Sequence, residues 1–438
     1  MEDTEVIVLM GGLGTRLGLA DRPKVLADVN GRPFFDWQLK ILKRWGFRKF
    51  IFLVGYMSDA VKKHYGNGEK FGVEIKYSAD GEKPLGTGGA LKKADALIDG
   101  DFLLMYGDSF MDIDYQEMVY HYADIKNDNL LGMTAILHNK NALDRSNVEY
   151  KDDGRIFYDK FNPTPKMEYV DYGISIMAKE ILRNIPADVY FDIAELMNSV
   201  SKEDKLFGHV VTRRFYEIGS PTSLDEFRAY ARQRFLQKRK AVFFDRDGVI
   251  NEIILNEETE QLDSPFEIVD FHYKDGAIDA MRKLQDAGYL LFVVTNQPAA
   301  AKGNTTLKKL YALNRWLEKD LQQRGVKIEF INMCPHHPSG TERSKQKFLL
   351  GECDCRKPKS GLITDLLSVY GIDTENSFMV GDSYTDVLAA KGANIKSILL
   401  GDLKCDACSR LAGNKPDFII NDVTELPTII RGGTNNAE

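Results

Sequence analysis

The chain has 438 residues and a formal net charge of −7, which predicts two domains of about 200 residues each and argues against general affinity for nucleic acid or anionic lipid. A hydrophobic share of 43% suits globular folding. No stretch approaches the roughly 18 apolar residues of a membrane span, and the acidic start Met1-Glu-Asp-Thr-Glu5 is unlike the basic start of a signal peptide.

Val6-Ile-Val-Leu-Met10 reads as a buried strand. It leads into Gly11-Gly-Leu-Gly-Thr-Arg16. Asp36, Leu39, Leu42 and Trp45 have helical spacing, Lys49–Val54 is a second strand, and Asp101–Asp108 is a later one. Strands alternating with helices predict a doubly wound parallel sheet. Glycines let a backbone approach a polyphosphate and aim N–H groups at it. The loop is neither a dinucleotide fingerprint nor a Walker loop, because no Gly-Lys-Ser/Thr follows. Arg16 and Lys24 supply positive charge instead, as transfer with a pyrophosphate leaving group requires. Asp108, closing a buried run, is the natural carboxylate for a metal; its plainer reading is a turn acid or helix N-cap.

Asp225 to Lys240 is a charged, helix-compatible connector, and the boundary is placed in it, giving domains 1–236 and 237–438. Ala241–Phe244 is another apolar run, ending in Asp245, Asp247 and a glycine turn. Carboxylates at i and i+2 of a strand point the same way, here at the carboxyl end, where open parallel sheets carry their sites. Two such groups can share a divalent cation, one attacking phosphorus and the other handling a proton. Tyr289–Gln297 is a strand closing on Thr295 and Asn296, Arg356 and Lys357 precede Pro358, and Phe378–Gly381 runs into Asp382 and Asp386. No insertion is long enough for a large cap domain.

The chain's five cysteines all lie in its last quarter, and with no secretion signal such clustering favours metal over disulfides and a reducing cytoplasm. Cys334-Pro-His-His-Pro338 and Cys353-Asp-Cys355 offer three thiolates and an imidazole, a closed zinc set with His336 or His337 as fourth ligand. Cys405 and Cys408 form a lone Cys-x-x-Cys and read as ordinary loop residues.

The glycine loop with Pro23-Lys24, Val29-Asn-Gly-Arg-Pro33, Leu85-Gly-Thr-Gly-Gly-Ala90, Gly107-Asp108, Asp159-Lys160, Asp171-Tyr-Gly-Ile174 and Tyr216-Glu-Ile-Gly-Ser-Pro221 resembles the sugar-phosphate nucleotidyltransferase family, in family order over about residues 5 to 230. The resemblance implies a Rossmann-like fold. It implies that Gly11, Gly12, Gly14, Thr15 and Arg16 hold the triphosphate, and that Lys24 stabilises the transferring phosphoryl group. Gly86, Thr87, Gly88 and Gly89 would border base and sugar, Lys160 the sugar phosphate and Asp171 the sugar. Asp108 and Glu217 would bind Mg2+. The interval from Arg16 to Lys24 is shorter than in many members. Glu217 stands where many have aspartate, and Asp171 where asparagine is frequent.

Asp245-Arg-Asp-Gly-Val-Ile-Asn251, Thr295-Asn-Gln297, Lys357 and Asp382 are similar, in order, to the haloacid-dehalogenase phosphatase superfamily. That likeness implies attack on phosphate by Asp245, proton transfer by Asp247, and charge neutralisation by Thr295 and Lys357. Asp245, the backbone oxygen of Asp247, and Asp382 would hold Mg2+, with Asp386 behind them. Together with the Cys/His loop and Cys355-Arg-Lys-Pro358, these motifs resemble heptose 1,7-bisphosphate 7-phosphatases. That resemblance selects His336 as zinc ligand and places Asn296, Arg356 and Lys357 at the substrate. Pro298-Ala-Ala-Ala301 replaces the Ser-Gly-Ile common there. The implied function is removal of a 7-phosphate followed by nucleotidyl transfer to the heptose 1-phosphate. GTP is favoured, and ATP or CTP stays open. The alternatives are a phosphatase for another ester, such as histidinol phosphate, beside a transferase for another sugar, or a first half that only binds nucleotide and regulates.

Overall fold

The computed structural model describes residues 1–12, 17, 19, 21–81, 83–256, 261–401 and 413–432. The chain divides into two compact units, Met1–Arg232 and Gln233–Glu438. Among the described residues no helix is long and apolar enough to cross a membrane.

The first unit is built on a nine-stranded sheet. Glu5–Leu9 runs parallel to Lys49–Val54 on one side and Phe102–Tyr106 on the other, and Glu74–Ala79 extends the parallel set. The helix Phe34–Arg44 buries Trp37, Leu39, Ile41 and Leu42, the stripe that its apolar spacing requires. Beyond Phe102–Tyr106 the sheet is mixed, not parallel throughout. Tyr169–Met177 lies antiparallel to Phe102–Tyr106 and to Gly132–His138. The reason is local. From Gly132 to Met177 the chain passes from strand to strand with no helix, and parallel neighbours need a long crossover.

The second unit has a six-stranded sheet with Ile328–Cys334, Leu290–Asn296, Ala241–Phe244, Phe378–Gly381, Lys396–Leu400 and Phe418–Ile420 in spatial order. Every pairing is parallel. Ala241–Phe244 is central and wholly buried, so it is apolar at every position instead of alternating. Parallel strands deliver their carboxyl ends to one edge, and that edge receives Asp245, Asn296, Cys334 and Asp382. Between Asp247 and the helix Ala277–Asp286 the described chain adds only the short hairpin strands Ile254–Asn256 and Gln261–Asp263 and a single helical turn, Ile268–Asp270.

Candidate active sites

In the second unit the Asp245 amide donates to the carbonyl of Val380 at 2.8 Å, which fixes the turn that follows the central strand. Lys357 Nζ lies 2.9 Å from Asp245 and 2.6 Å from Asp386, and also donates to the Val294 carbonyl at 2.9 Å. Its side chain is 1% exposed. Asn296 clamps the Lys357 backbone from both sides, donating to its carbonyl at 3.0 Å and accepting its N–H at 3.1 Å. Asp386 also caps the helix Tyr384–Gly392 through the Ser383 amide. Burial would lower Lys357, but Asp245 and Asp386 hold it above its ordinary value.

Burial pushes the Asp245 carboxyl up to about 7, against the pull of Lys357. Burial, with Asp386 adding to it, pushes Asp382 up to about 6. Ligand oxygens of Asp245, Asp382 and Asp386 lie within 4.8 Å of one another. At Gly248, φ is +79°, and a Cβ there would stand 2.0 Å from Asp382 Oδ2; only glycine lets Asp382 close over the turn. A cluster of oxygens carrying more negative charge than one ammonium offsets fits a hard divalent cation such as Mg2+. The Asp247 carboxylate turns elsewhere. Arg246 meets both its oxygens, at 3.1 and 3.2 Å, while Asn251 Nδ2 donates at 3.0 Å and Gln297 Nε2 at 2.5 Å. Burial raises Asp247, but Arg246 and the donated hydrogen bonds leave it below the usual carboxylate range.

In the first unit a cavity of about 450 Å³ is lined by Gly11, Gly12, Lys24, Asp80, Gly86, Thr87, Tyr106, Asp108 and Tyr190, among others. Lys24 Nζ is 3.0 Å from Asp108 Oδ2. Glu217 sits opposite Ser109 in the short pair Ser109–Phe110 with Tyr216–Glu217, and the Ile218 amide donates to the Asp108 carbonyl. Asp171 accepts from Thr134 Oγ1 at 3.1 Å and the Gly173 amide at 2.9 Å. Burial raises its carboxyl, and the charge of the exposed Lys160 works against that. The half-buried Tyr106 phenol is raised by desolvation and then by Asp171, Asp192, Asp108 and Glu217. The pairing of Glu217 with Ser109 brings its strand beside Asp108, and these two carboxylates could hold a divalent cation.

A nucleotidyl transferase family model matches residues 5–233, just over half of the chain. An HAD-hydrolase-like model matches residues 354–426. The D-glycero-beta-D-manno-heptose-1,7-bisphosphate 7-phosphatase of Pasteurella multocida is 36% identical over 197 residues, covering 44% of this chain and 98% of that protein. The enzyme of the same name from Photorhabdus laumondii is 38% identical over 196 residues, 44% of this chain and 95% of its own. The first unit belongs to the nucleotidyl transferases and the second to the HAD-like phosphatases. Among solved structures, HddC from Yersinia pseudotuberculosis complexed with GMP-PN aligns over 52% of this chain and 99% of its own at 22% identity, with a TM-score of 0.43.

In the phosphatase unit Cys334, His336, Cys353 and Cys355 converge. Cys334 Sγ lies 3.7 Å from both His336 Nδ1 and Cys353 Sγ. Cys355 Sγ lies 3.3 Å from His336 Nδ1, 3.0 Å from Cys334 Sγ and 3.4 Å from Cys353 Sγ. Four soft donors this close fit zinc, whose tetrahedral thiolate edges are about 3.8 Å. His337 faces away, accepting from the Ser339 amide. Arg356 Nη1 donates to the His336 carbonyl at 3.2 Å, tying that cation to the cluster.

In the transferase unit Gly88 does not line the cavity. Its amide donates to the Phe191 carbonyl, as does that of Gly89, and a Cβ on Gly88 would meet the Phe191 ring at 2.7 Å. Thr87 instead hydrogen-bonds Asp192 at 3.1 Å. Gly14, Thr15, Arg16, Cys405 and Cys408 lie outside the described residues. Sequence reading passed over Asp80, Tyr106, Tyr190, Asp192, Arg246, Asn251 and Gln297. The last three stood inside quoted motifs, and for Arg246 and Gln297 a polar residue just past a buried strand was the available signal.

Proposed function

We propose that the phosphatase unit removes the 7-phosphate of D-glycero-D-manno-heptose 1,7-bisphosphate and that the transferase unit couples the resulting heptose 1-phosphate to a nucleoside monophosphate, with GTP the favoured donor. One observation carries this reading: a phosphatase similar to heptose bisphosphate 7-phosphatases shares its chain with a nucleotidyl transferase, and the product of the first is the substrate class of the second.

In the phosphatase unit Asp245 attacks phosphorus, and the bond from phosphorus to the sugar oxygen breaks. Asp247 gives its proton to that leaving oxygen. Water then cleaves the aspartyl phosphate, and Asp247 takes the proton that water releases. Lys357 and Thr295 offset charge on the phosphoryl oxygens, while Asn296 and Arg356 contact the substrate. Asp245, Asp382 and the backbone oxygen of Asp247 would hold Mg2+, which supplies further charge neutralisation. Cys334, His336, Cys353 and Cys355 would hold a structural Zn2+; four protein ligands leave no position for an activated water.

In the transferase unit an oxygen of the sugar 1-phosphate attacks the α-phosphorus and pyrophosphate leaves. Gly11 and Gly12, with Gly14, Thr15 and Arg16, receive the triphosphate. Lys24 stands at the transferring phosphoryl group, Gly86 and Thr87 at the base and sugar, and Lys160 and Asp171 at the sugar phosphate. GTP is favoured because Pro84-Leu-Gly-Thr-Gly-Gly-Ala90 is similar to guanylyltransferases for heptose and mannose phosphates.

The test is product analysis after incubating the full chain with heptose 1,7-bisphosphate, Mg2+ and each triphosphate separately. Phosphate, pyrophosphate and a nucleotide heptose are expected, with GTP best. Faster hydrolysis of histidinol phosphate, or no pyrophosphate with any triphosphate, would overturn the reading.

A further inference from the structure

Among the described residues, the Asp247 carboxylate accepts hydrogen bonds from Arg246, Asn251, Gln297 and Ser264, and two of these donors are arranged at a cost. Asn251 and Gln297 are both fully buried. Each turns its carboxamide so that the nitrogen reaches Asp247, at 3.0 and 2.5 Å. Among the described residues, Asn251 Oδ1 and Gln297 Oε1 then accept no hydrogen bond. A buried carbonyl without a donor is costly, and turning either amide over would set its carbonyl against the carboxylate. Both are pinned from behind. Asn251 Nδ2 also donates to the Glu252 carbonyl at 2.9 Å, while its backbone closes the turn by accepting from Gly248 at 2.8 Å. Gln297 Nε2 also donates to Thr295 Oγ1 at 2.9 Å, and its amide donates to the Cys334 carbonyl at 2.8 Å. Arg246, 0% exposed, braces the same carboxylate and is itself held by Asn314 Oδ1 at 3.1 Å.

We propose that Gln297 and Asn251 are positioning residues that aim the Asp247 carboxyl group at the leaving oxygen. The proposal rests on Asp247 being the proton donor.

Leaving-group dependence separates aiming from packing. A sugar phosphate needs a proton on its leaving oxygen, whereas 4-nitrophenyl phosphate leaves as a stable anion. The second half-reaction is common to both esters, so release of the leaving group is followed in the first turnover by rapid quench, on folded full-length Gln297→Met and Asn251→Leu. General acid catalysis contributes about 10²- to 10⁴-fold. Gln297→Met should lose about 10- to 100-fold on heptose bisphosphate and under about threefold on the aryl ester, with KM little changed; Asn251→Leu should follow with a smaller loss. Equal losses on both esters, or none on either, would overturn the proposal. Asp247→Asn is the reference. If it also lacks leaving-group dependence, the assignment of the proton donor falls; if it shows the dependence and the two variants do not, only the aiming role falls.

Discussion

In the phosphatase unit Lys357 is sealed between Asp245 and Asp386, with side-chain exposures of 1% for the lysine and 15% and 2% for its partners. In the transferase unit the ion pair Lys24–Asp108 has 13% and 24% exposure and faces a cavity of about 450 Å³. The difference follows from where the reacting atoms come from. A phosphatase that forms a covalent intermediate supplies one reactant itself, so its charges are fixed before substrate arrives. A nucleotidyl transferase must admit two polyanionic substrates and bring them together, so its charges line an open space.

Removing one aspartate from each site tests that contrast most directly. Asp245→Asn is nearly isosteric but cannot attack phosphorus, and loss of a nucleophile costs about 10⁴-fold or more. Phosphate release should vanish while nucleotidyl transfer from supplied heptose 1-phosphate persists. Asp108→Asn should do the converse, with transfer falling about 10²- to 10³-fold, the usual cost of one electrostatic partner of the transition state. The check is both assays on both variants. A folded Asp245→Asn protein that lost both activities would refute two independent sites, and near-normal transfer by Asp108→Asn would remove that residue from the metal role.

A smaller effect is expected at the Cys/His cluster. Cys355 directly precedes Arg356 and Lys357, so a metal held there would act on catalysis through the backbone that carries those cations. Outer supports of this kind typically cost about 10- to 100-fold when lost. Cys353→Ser should lose zinc on metal analysis and slow bisphosphate hydrolysis by that factor, with nucleotidyl transfer spared. Wild-type protein purified without chelators that lacks zinc and still hydrolyses at full rate would defeat this.

Legibility in the sequence divided along the same line. The phosphatase end was readable because consecutive parallel strands each end in a chemical group, and one edge must collect them: Asp245, Thr295, Asn296 and Asp382. The cysteines were readable because thiolates have few other uses in such a cluster. The mixed half of the transferase sheet was not, since strands without intervening helices carry no direction in their apolar pattern. Gly88 looked like a ligand contact, yet its missing side chain makes room for Phe191. Glycine spacing does not tell close approach by a ligand from close approach by the chain itself. Asp80 reaches the cavity through folding of a distant segment, and no local spacing marked it.

The smallest expected effect concerns pH. Burial raises Asp245 from 3.8 to about 7 and Asp382 from 3.8 to about 6. A carboxyl raised on folding contributes stability that is fully present below 3.8 and is lost as pH rises through its folded value. Asp247 is lowered, so its contribution is present above its unfolded value and lost only in acid. Between pH of about 4 and 7 the first two therefore decide the trend, and the metal-free phosphatase unit should lose stability as pH rises. Mg2+ should reverse that loss, because it binds the ionised carboxylates of the folded state. Asp245→Asn mimics the neutral acid and should flatten the curve. For a unit of this size about 1 kcal/mol moves the midpoint by roughly 2–4 °C, so shifts of a few degrees are expected. Calorimetry from pH 5 to 7.5 without metal, on wild type and Asp245→Asn, reads this in the transition that Mg2+ shifts in the wild type. Parallel curves for the two proteins would mean that Asp245 is ionised throughout and that Lys357 alone compensates it.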